Sequence, residues 1–204
     1  MARITEEVFR LVIRDMEELL GEDRGAHISV NLSASDLKDG GALRVLQRML
    51  EGTVIDPRQI WLEATERGFM DVDKACSVIE QARAQGHAVA IDDFGTGYSS
   101  LSYLQRLPLD SLKIDKSFVD TIGTDSATHK VTDHIIDMAK SLNLLTVAEG
   151  IERQEQEDHL KAREVDFGQG WLYGKPMPAP EFIAYYKKNV ASTPPPSRLP
   201  DARR

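Results

Sequence analysis

The sequence is short of cysteine, of basic surplus and of long apolar runs. One cysteine, Cys76, stands in 204 residues, which excludes an internal disulfide framework and a cysteine-built zinc site and suits a reducing compartment. Lys and Arg number 25 against 33 Asp and Glu, for a formal net charge of −8. Clustered cations are what neutralise a phosphate backbone, so nucleic acid is not an expected partner. No stretch approaches ~18 apolar residues, so no membrane-spanning segment is expected. The start, Met1-Ala2-Arg3-Ile4-Thr5-Glu6-Glu7, is acidic within its first turn and does not read as a secretory signal. What remains is an ordinary globular composition, 41% hydrophobic and 28% charged. Such a chain can bury a core without staples and reads as one cytoplasmic domain with a tail.

Periodicity gives helices alternating with short apolar strands. Ile4, Val8, Val12, Met16 and Leu20 recur every four residues and predict a helix over Ile4–Leu20, ended by Gly21. Strands are expected at His27–Leu32, Ile60–Thr65, Ala88–Ile91, Ser111–Asp115, Leu144–Ala148 and Phe167–Tyr173. Helices are expected within Leu37–Leu50, from a cap at Asp71 or Asp73 to Gln85, over Ser99–Leu107 and Thr128–Leu142, then over Gln154–Arg163 and Pro180–Asn189. Six strands each followed by a helix imply parallel pairing with right-handed crossovers. An open doubly wound sheet and a (β/α) barrel both satisfy that pattern. The stretch 191–204 holds four of the nine prolines and no apolar period, and reads as a disordered tail after a domain over 1–190.

Chemistry collects at the C-terminal ends of the strands. In order stand Asn31, then Glu63 and Glu66, Asp92 and Asp93, Lys113 and Asp115, Glu149 and Glu152, and Gln169. The first members are 32, 29, 21, 36 and 20 residues apart, about one βα unit each. In a barrel they would converge on one mouth, the face where such folds keep their active sites. Any one acid might cap a following helix, but caps do not account for a lysine and two amides on the same rim. Seven crowded carboxylates call for a cation, and oxygen-only ligands suit magnesium, manganese or calcium. Adjacent Asp92 and Asp93 can bridge two ions, an arrangement used in phosphoryl chemistry, and Lys113 can orient or help deprotonate a water. The loop Phe94-Gly95-Thr96-Gly97-Tyr98-Ser99-Ser100 follows directly and is a candidate anion-binding turn. The histidines and Cys76 read as surface or core. Trp61 and Trp171 read as packing by default, although Trp171 can stack on a base.

These residues resemble the EAL-type cyclic di-GMP phosphodiesterase domains. The matching pieces are Asn31-Leu32-Ser33, Leu62-Glu63-Ala64-Thr65-Glu66, Asp92 to Leu101, Leu112-Lys113-Ile114-Asp115, Ala148-Glu149-Gly150-Ile151-Glu152 and Gln169-Gly170-Trp171-Leu172-Tyr173. The resemblance implies an α/β fold, a (β/α)8 barrel of the triosephosphate isomerase type, with six βα units present and the first two strands missing. It implies that Asn31, Glu63 and Asp92 hold one metal and Asp92, Asp93 and Glu149 a second. Lys113, Glu149 and Gln169 would be catalytic, Asp115 and Glu152 would support them, and Glu66 would anchor a substrate loop containing Phe94, Gly95, Thr96, Gly97 and Ser99. The cofactors would be two Mg2+ or Mn2+ ions, with Ca2+ inhibitory, and cyclic di-GMP would be cleaved to linear pGpG.

The Glu-Ala-Leu motif that names the family is missing, and with it one metal-ligand Glu and a substrate-binding Arg. The expectation is a piece of a longer protein rather than a genuinely shortened member, which leaves room for a sensory or membrane domain upstream. The run Ala64 to Asp71 resembles a branch often tethered to the inner membrane. Two alternatives stay open: a receptor that binds cyclic di-GMP without cleaving it, and a chain that covers its open edge by forming a homodimer.

Overall fold

A computed structural model describes residues 2–69, 71–95, 101–124 and 127–189. The expected tail, 191–204, and Thr96, Gly97 and Ser99 of the glycine loop lie outside the described residues.

Helix α1 spans Ala2–Glu22. Four residues turn a helix about 400°, so an every-fourth row drifts about 40° per step around the axis. The buried face accordingly runs through Thr5, Phe9, Met16, Leu19 and Leu20, whereas Ile4 and Val8 finish exposed. After β1 (Ile28–Leu32) come α2 (Asp36–Asp39) and α3 (Gly41–Leu50). The single helix expected within Leu37–Leu50 is divided at Gly40, whose φ of +63° is left-handed and ends α2 there. The chain continues through β2 (Ile60–Thr65), α4 (Val72–Ala84), β3 (Val89–Phe94), α5 (Leu101–Arg106) and β4 (Ser111–Ile114). It completes its course with α6 (Lys116–Val119), α7 (Ala127–Ser141), β5 (Leu145–Ala148), α8 (Gln154–Ala162), β6 (Phe167–Gly168) and α9 (Ala179–Asn189).

Two strands differ from expectation. β3 runs on past Ile91 and carries the acid pair within it. β6 stops after two residues instead of reaching Tyr173. The chain turns there: the Tyr173 and Gly174 N–H groups both donate to the Gly170 carbonyl, at 3.1 and 3.3 Å. Trp171 and Tyr173, whose aromatic character suggested strand, stand exposed on that turn.

All six strands are parallel and ordered β1-β2-β3-β4-β5-β6. A doubly wound sheet reverses its order at a switch point. This unreversed order is barrel winding, and the strands form half a barrel. Alternation then assigns the two faces. Val30, Leu32, Leu62, Ala64, Ile91, Leu112, Ile114 and Ala148 face outward and join the helices in one buried apolar cluster. A second cluster on the concave face packs Trp61 with Ala88, Leu145 and Phe167. Among the described residues no helix is long and apolar enough to cross a membrane.

The concave cluster contains a histidine. The His27 ring stacks on Trp61 with centroids 4.1 Å apart and meets Phe167 edge-on at 5.4 Å. Burial holds the His27 pKa down at about 4, from 6.5. An unfolded chain therefore binds a proton there between pH 6.5 and 4 that the folded chain refuses. Stability is fully present above pH 6.5 and is lost as pH falls through that window, by up to about 3 kcal/mol. Urea unfolding at pH 7.5 and pH 5 should show a smaller pH effect in His27→Phe than in the parent. Burial also lowers His87, so part of the effect remains. Equal pH effects in parent and variant would refute the assignment to His27.

Candidate active site

The concave face changes character toward the strand C-termini. Two residues beyond Trp61 on β2 comes Glu63, which is buried, and its register partner on β1 is Asn31, which is exposed. Asp92 on β3 and Lys113 on β4 are also buried. Lys113 Nζ lies 2.5 Å from Glu63 Oε2, 2.6 Å from Glu149 Oε1 and 3.1 Å from Asp92 Oδ1. Strands β2, β3 and β4 and the residue just after β5 thus deliver three carboxylates around one ammonium. Burial alone would lower the pKa of Lys113, but the charges of Glu63 and Glu149 outweigh it and raise the value above normal. With the carboxylates uncompensated by any other cation among the described residues, Lys113 is held in its charged form in this arrangement.

A bulge aims the second acid. The β3–β4 register shifts between Ile91 and Phe94, and Asp93 takes a φ of +54°, uncommon for a residue with a side chain. Without it, alternation would send Asp93 outward among the apolar side chains of β3. With it, Asp92, Asp93 and Glu149 can each present an oxygen within 4.8 Å of the others. Burial, reinforced by the charges of Asp92 and Asp115, raises the Asp93 pKa. Burial likewise raises Glu149, against the pull of Lys113. Oxygen donors crowded this closely, with their proton affinity raised, form a set that fits a hard divalent cation.

The remaining rim residues fall around this centre. Gln169 donates from Nε2 to Glu149 Oε1 at 2.7 Å. The Gly95 N–H donates to Glu66 Oε1 at 2.8 Å, so the first residue after β3 is tied to the turn after β2. Phe94 is buried as the last residue of β3. Asp115 caps α6, its Oδ1 accepting the Ser117 N–H at 3.0 Å. Glu152 pairs with Lys116 at 3.1 Å and stands away from the Lys113 cage. One supporting group was not anticipated. Asp36 is buried, and its Oδ2 accepts from Thr5 Oγ1, Ser33 N and Ser33 Oγ at 2.9, 2.8 and 2.6 Å. This pins the loop that leaves Asn31 to α1. The spacing Ser33-x-x-Asp36 was the available signal.

The family model described as "EAL domain" matches residues 1–176. The "Probable cyclic di-GMP phosphodiesterase PdeB" of Escherichia coli (strain K12) is 45% identical over 183 residues, covering 90% of this chain. The chain spans about a third of that relative's length, 35%. The solved structure "PaMucR Phosphodiesterase, c-di-GMP complex" superposes with a TM-score of 0.82 at 37% identity, covering 88% of this chain and 74% of the other. A manganese and cyclic di-GMP complex of Klebsiella pneumoniae BlrP1 superposes with a TM-score of 0.76 at 27% identity, over 86% of this chain and 44% of the other.

Proposed function

The chain belongs to the EAL domain family, and from that membership we propose that it hydrolyses cyclic di-GMP to linear pGpG with the help of divalent metal. The observation that carries the proposal is the Lys113 cage beside the converging oxygens of Asp92, Asp93 and Glu149. Water attacks one phosphorus of the cyclic dinucleotide and the bond from that phosphorus to the 3′ oxygen breaks. The proton lost by the water is balanced by one gained at the leaving oxygen, which gives pGpG. In this reading Asn31, Glu63 and Asp92 hold one ion, and Asp92, Asp93 and Glu149 a second. Bound divalent ions supply a Lewis acid for the phosphate and lower the pKa of the attacking water.

The chain's own groups do the rest. Lys113 directs the water and meets charge developing on phosphate. Gln169 fixes the Glu149 carboxylate through its 2.7 Å bond and contacts water or substrate. Glu66, by accepting the Gly95 N–H, holds the start of the substrate loop formed by Phe94, Gly95, Thr96, Gly97 and Ser99. Asp115 and Glu152 support these positions from behind. The reading includes a cytoplasmic setting and a homodimer, the latter checked by light scattering.

Metal exchange tests the chemistry. Chromatography of reactions containing the purified chain should show pGpG with Mn2+ or Mg2+. Product should fall at least about tenfold with Ca2+, whose looser and more variable coordination positions the reacting oxygens poorly. Chelator should abolish it. Cyclic di-GMP binding in calorimetry without pGpG under any metal would establish a receptor instead. Cleavage unaffected by chelator would remove the metals from the mechanism.

A further inference from the structure

The segment that leaves β5 carries Glu149 and then turns through Gly150–Arg153 into α8. That turn is unusually well fastened. Gly150 takes a φ of +67°, and a Cβ there would lie 2.4 Å from Lys116 Cγ, so the Lys116 stem lies directly across the turn. Lys116 Nζ then reaches Glu152 at 3.1 Å and Asp120 at 2.7 Å. From behind, the Gln156 side chain, 1% exposed, accepts the N–H groups of both Glu152 and Arg153 at 2.9 Å. Its amide donates to the Val119 carbonyl at the end of α6, at 3.2 Å. On the other side of the turn, the Ile151 N–H donates to the Gln169 carbonyl at 3.0 Å, and the Ile151 carbonyl accepts from Leu172 at 2.9 Å.

An ordinary helix cap explains only part of this. A glutamine in the third position of α8 that bonds back to the Arg153 N–H is a capping box. Capping requires neither the bond to the Glu152 N–H nor the amide given to another helix. Those two bonds join the turn to α6, whose first residues follow directly on Lys113 and Asp115. Glu149 sits at the head of the turn, and its Oε1 faces Lys113 and Gln169 together.

We propose that Gln156 and Lys116 are positioning residues for the reaction: by fastening the Gly150–Arg153 turn to α6, they aim the Glu149 carboxylate at Lys113 and at the Asp92–Asp93 pair. This rests on the phosphodiesterase reading above. Groups that orient ligands from one layer back typically carry about 10–100-fold of metal affinity or activity.

The test compares Q156L, Q156E and K116M with the parent chain. Manganese binding is followed by electron paramagnetic resonance, kcat and KM by pGpG formation, and folding by thermal melts. Q156L should weaken manganese about tenfold or more and lower kcat by a similar factor, with KM within about threefold. Q156E keeps an acceptor for both N–H groups but cannot donate to the Val119 carbonyl and places a charge at a buried site. It should therefore lose manganese affinity about as Q156L does, and recovery to the parental value would show the link to α6 to be dispensable. K116M, altered at the surface, should remain folded and weaken manganese about threefold, which keeps the test alive should Q156L fail to fold. A lowered melting point with parental manganese affinity and kcat would overturn the proposal, as would K116M indistinguishable from the parent. A parent chain that binds manganese but makes no pGpG would overturn the phosphodiesterase reading instead, and the manganese comparison among variants would still stand.

Discussion

Lys113→Met is expected to lower cyclic di-GMP turnover by about 10³-fold while manganese affinity holds or rises. The two halves have one cause. Lys113 Nζ lies within 3.1 Å of three carboxylates, two of them nearly or fully buried. It is therefore the cation that makes the metal-free site tolerable, as well as the group that would guide water. Methionine keeps the stem packed and removes only the charge. Without metal, uncompensated buried carboxylates should cost about 3 kcal/mol. Manganese, binding the folded state alone, should restore much of that loss. Thermal melts with and without manganese, beside initial rates, separate the effects. A variant rate within tenfold of the parent would remove Lys113 from the chemistry. A fall in manganese affinity would show that Lys113 organises the ligands rather than competing with them.

Gly170→Ala should be the most damaging small substitution on the rim. A Cβ at Gly170 would lie 2.2 Å from both the nitrogen and the oxygen of Ile151. Those are backbone atoms held by the bonds to Gln169 and Leu172, so neither can yield by changing a rotamer. Relief requires the two loops to part, at about 3 kcal/mol or more, and carries Gln169 away from Glu149. Gly52→Ala is the control. Gly52 also has positive φ, +83°, but a Cβ there meets nothing within 4 Å, so only the backbone preference of about 1–2 kcal/mol is lost. Denaturant unfolding should place Gly170→Ala below Gly52→Ala in stability, and its kcat should fall where that of Gly52→Ala does not. Reversal of that order would show that φ, not the collision, decides.

Much of this was legible because the informative residues sit at the ends of apolar runs. Strand ends are found from a change of pattern, and the change at Leu62-Glu63 or Leu112-Lys113 is abrupt. What escaped depends on departures from regular geometry. Adjacency in sequence places Asp93 beside Asp92, but the bulge that turns its side chain to the same face has no signal among the residues Ile91–Phe94. Trp171 and Tyr173 favour a longer β6, whereas the bonds to Gly170 and Ile151 decide the path there and end the strand at Gly168. The His27–Trp61–Phe167 stack has no local signal because its members, the residue just before β1 and one each from β2 and β6, lie more than thirty residues apart in sequence. Gln156 was hidden as one polar residue of a charged helix, although its place three residues into that helix was a capping signal.

The unreversed strand order has a further consequence, for how the chain reaches this arrangement. Each strand pairs with its successor. Val147 opposite Phe167 and Ser111 opposite Leu145 mark the shortest and longest separations between register partners. Closure entropy grows only with the logarithm of loop length, so the five pairings demand nearly equal sacrifices of chain freedom. The sheet can then grow by repetition of one local step. More distant parts of the chain meet where Phe167 closes on His27 and Trp61, and farthest apart at the clasp of α9 on the end of α1, where the Tyr186 hydroxyl donates to Asp23 across 163 positions at 2.9 Å. The strand ends that carry Lys113 and Glu149 belong to the locally assembled part, so the acidic rim around Lys113 can be in place before that clasp closes.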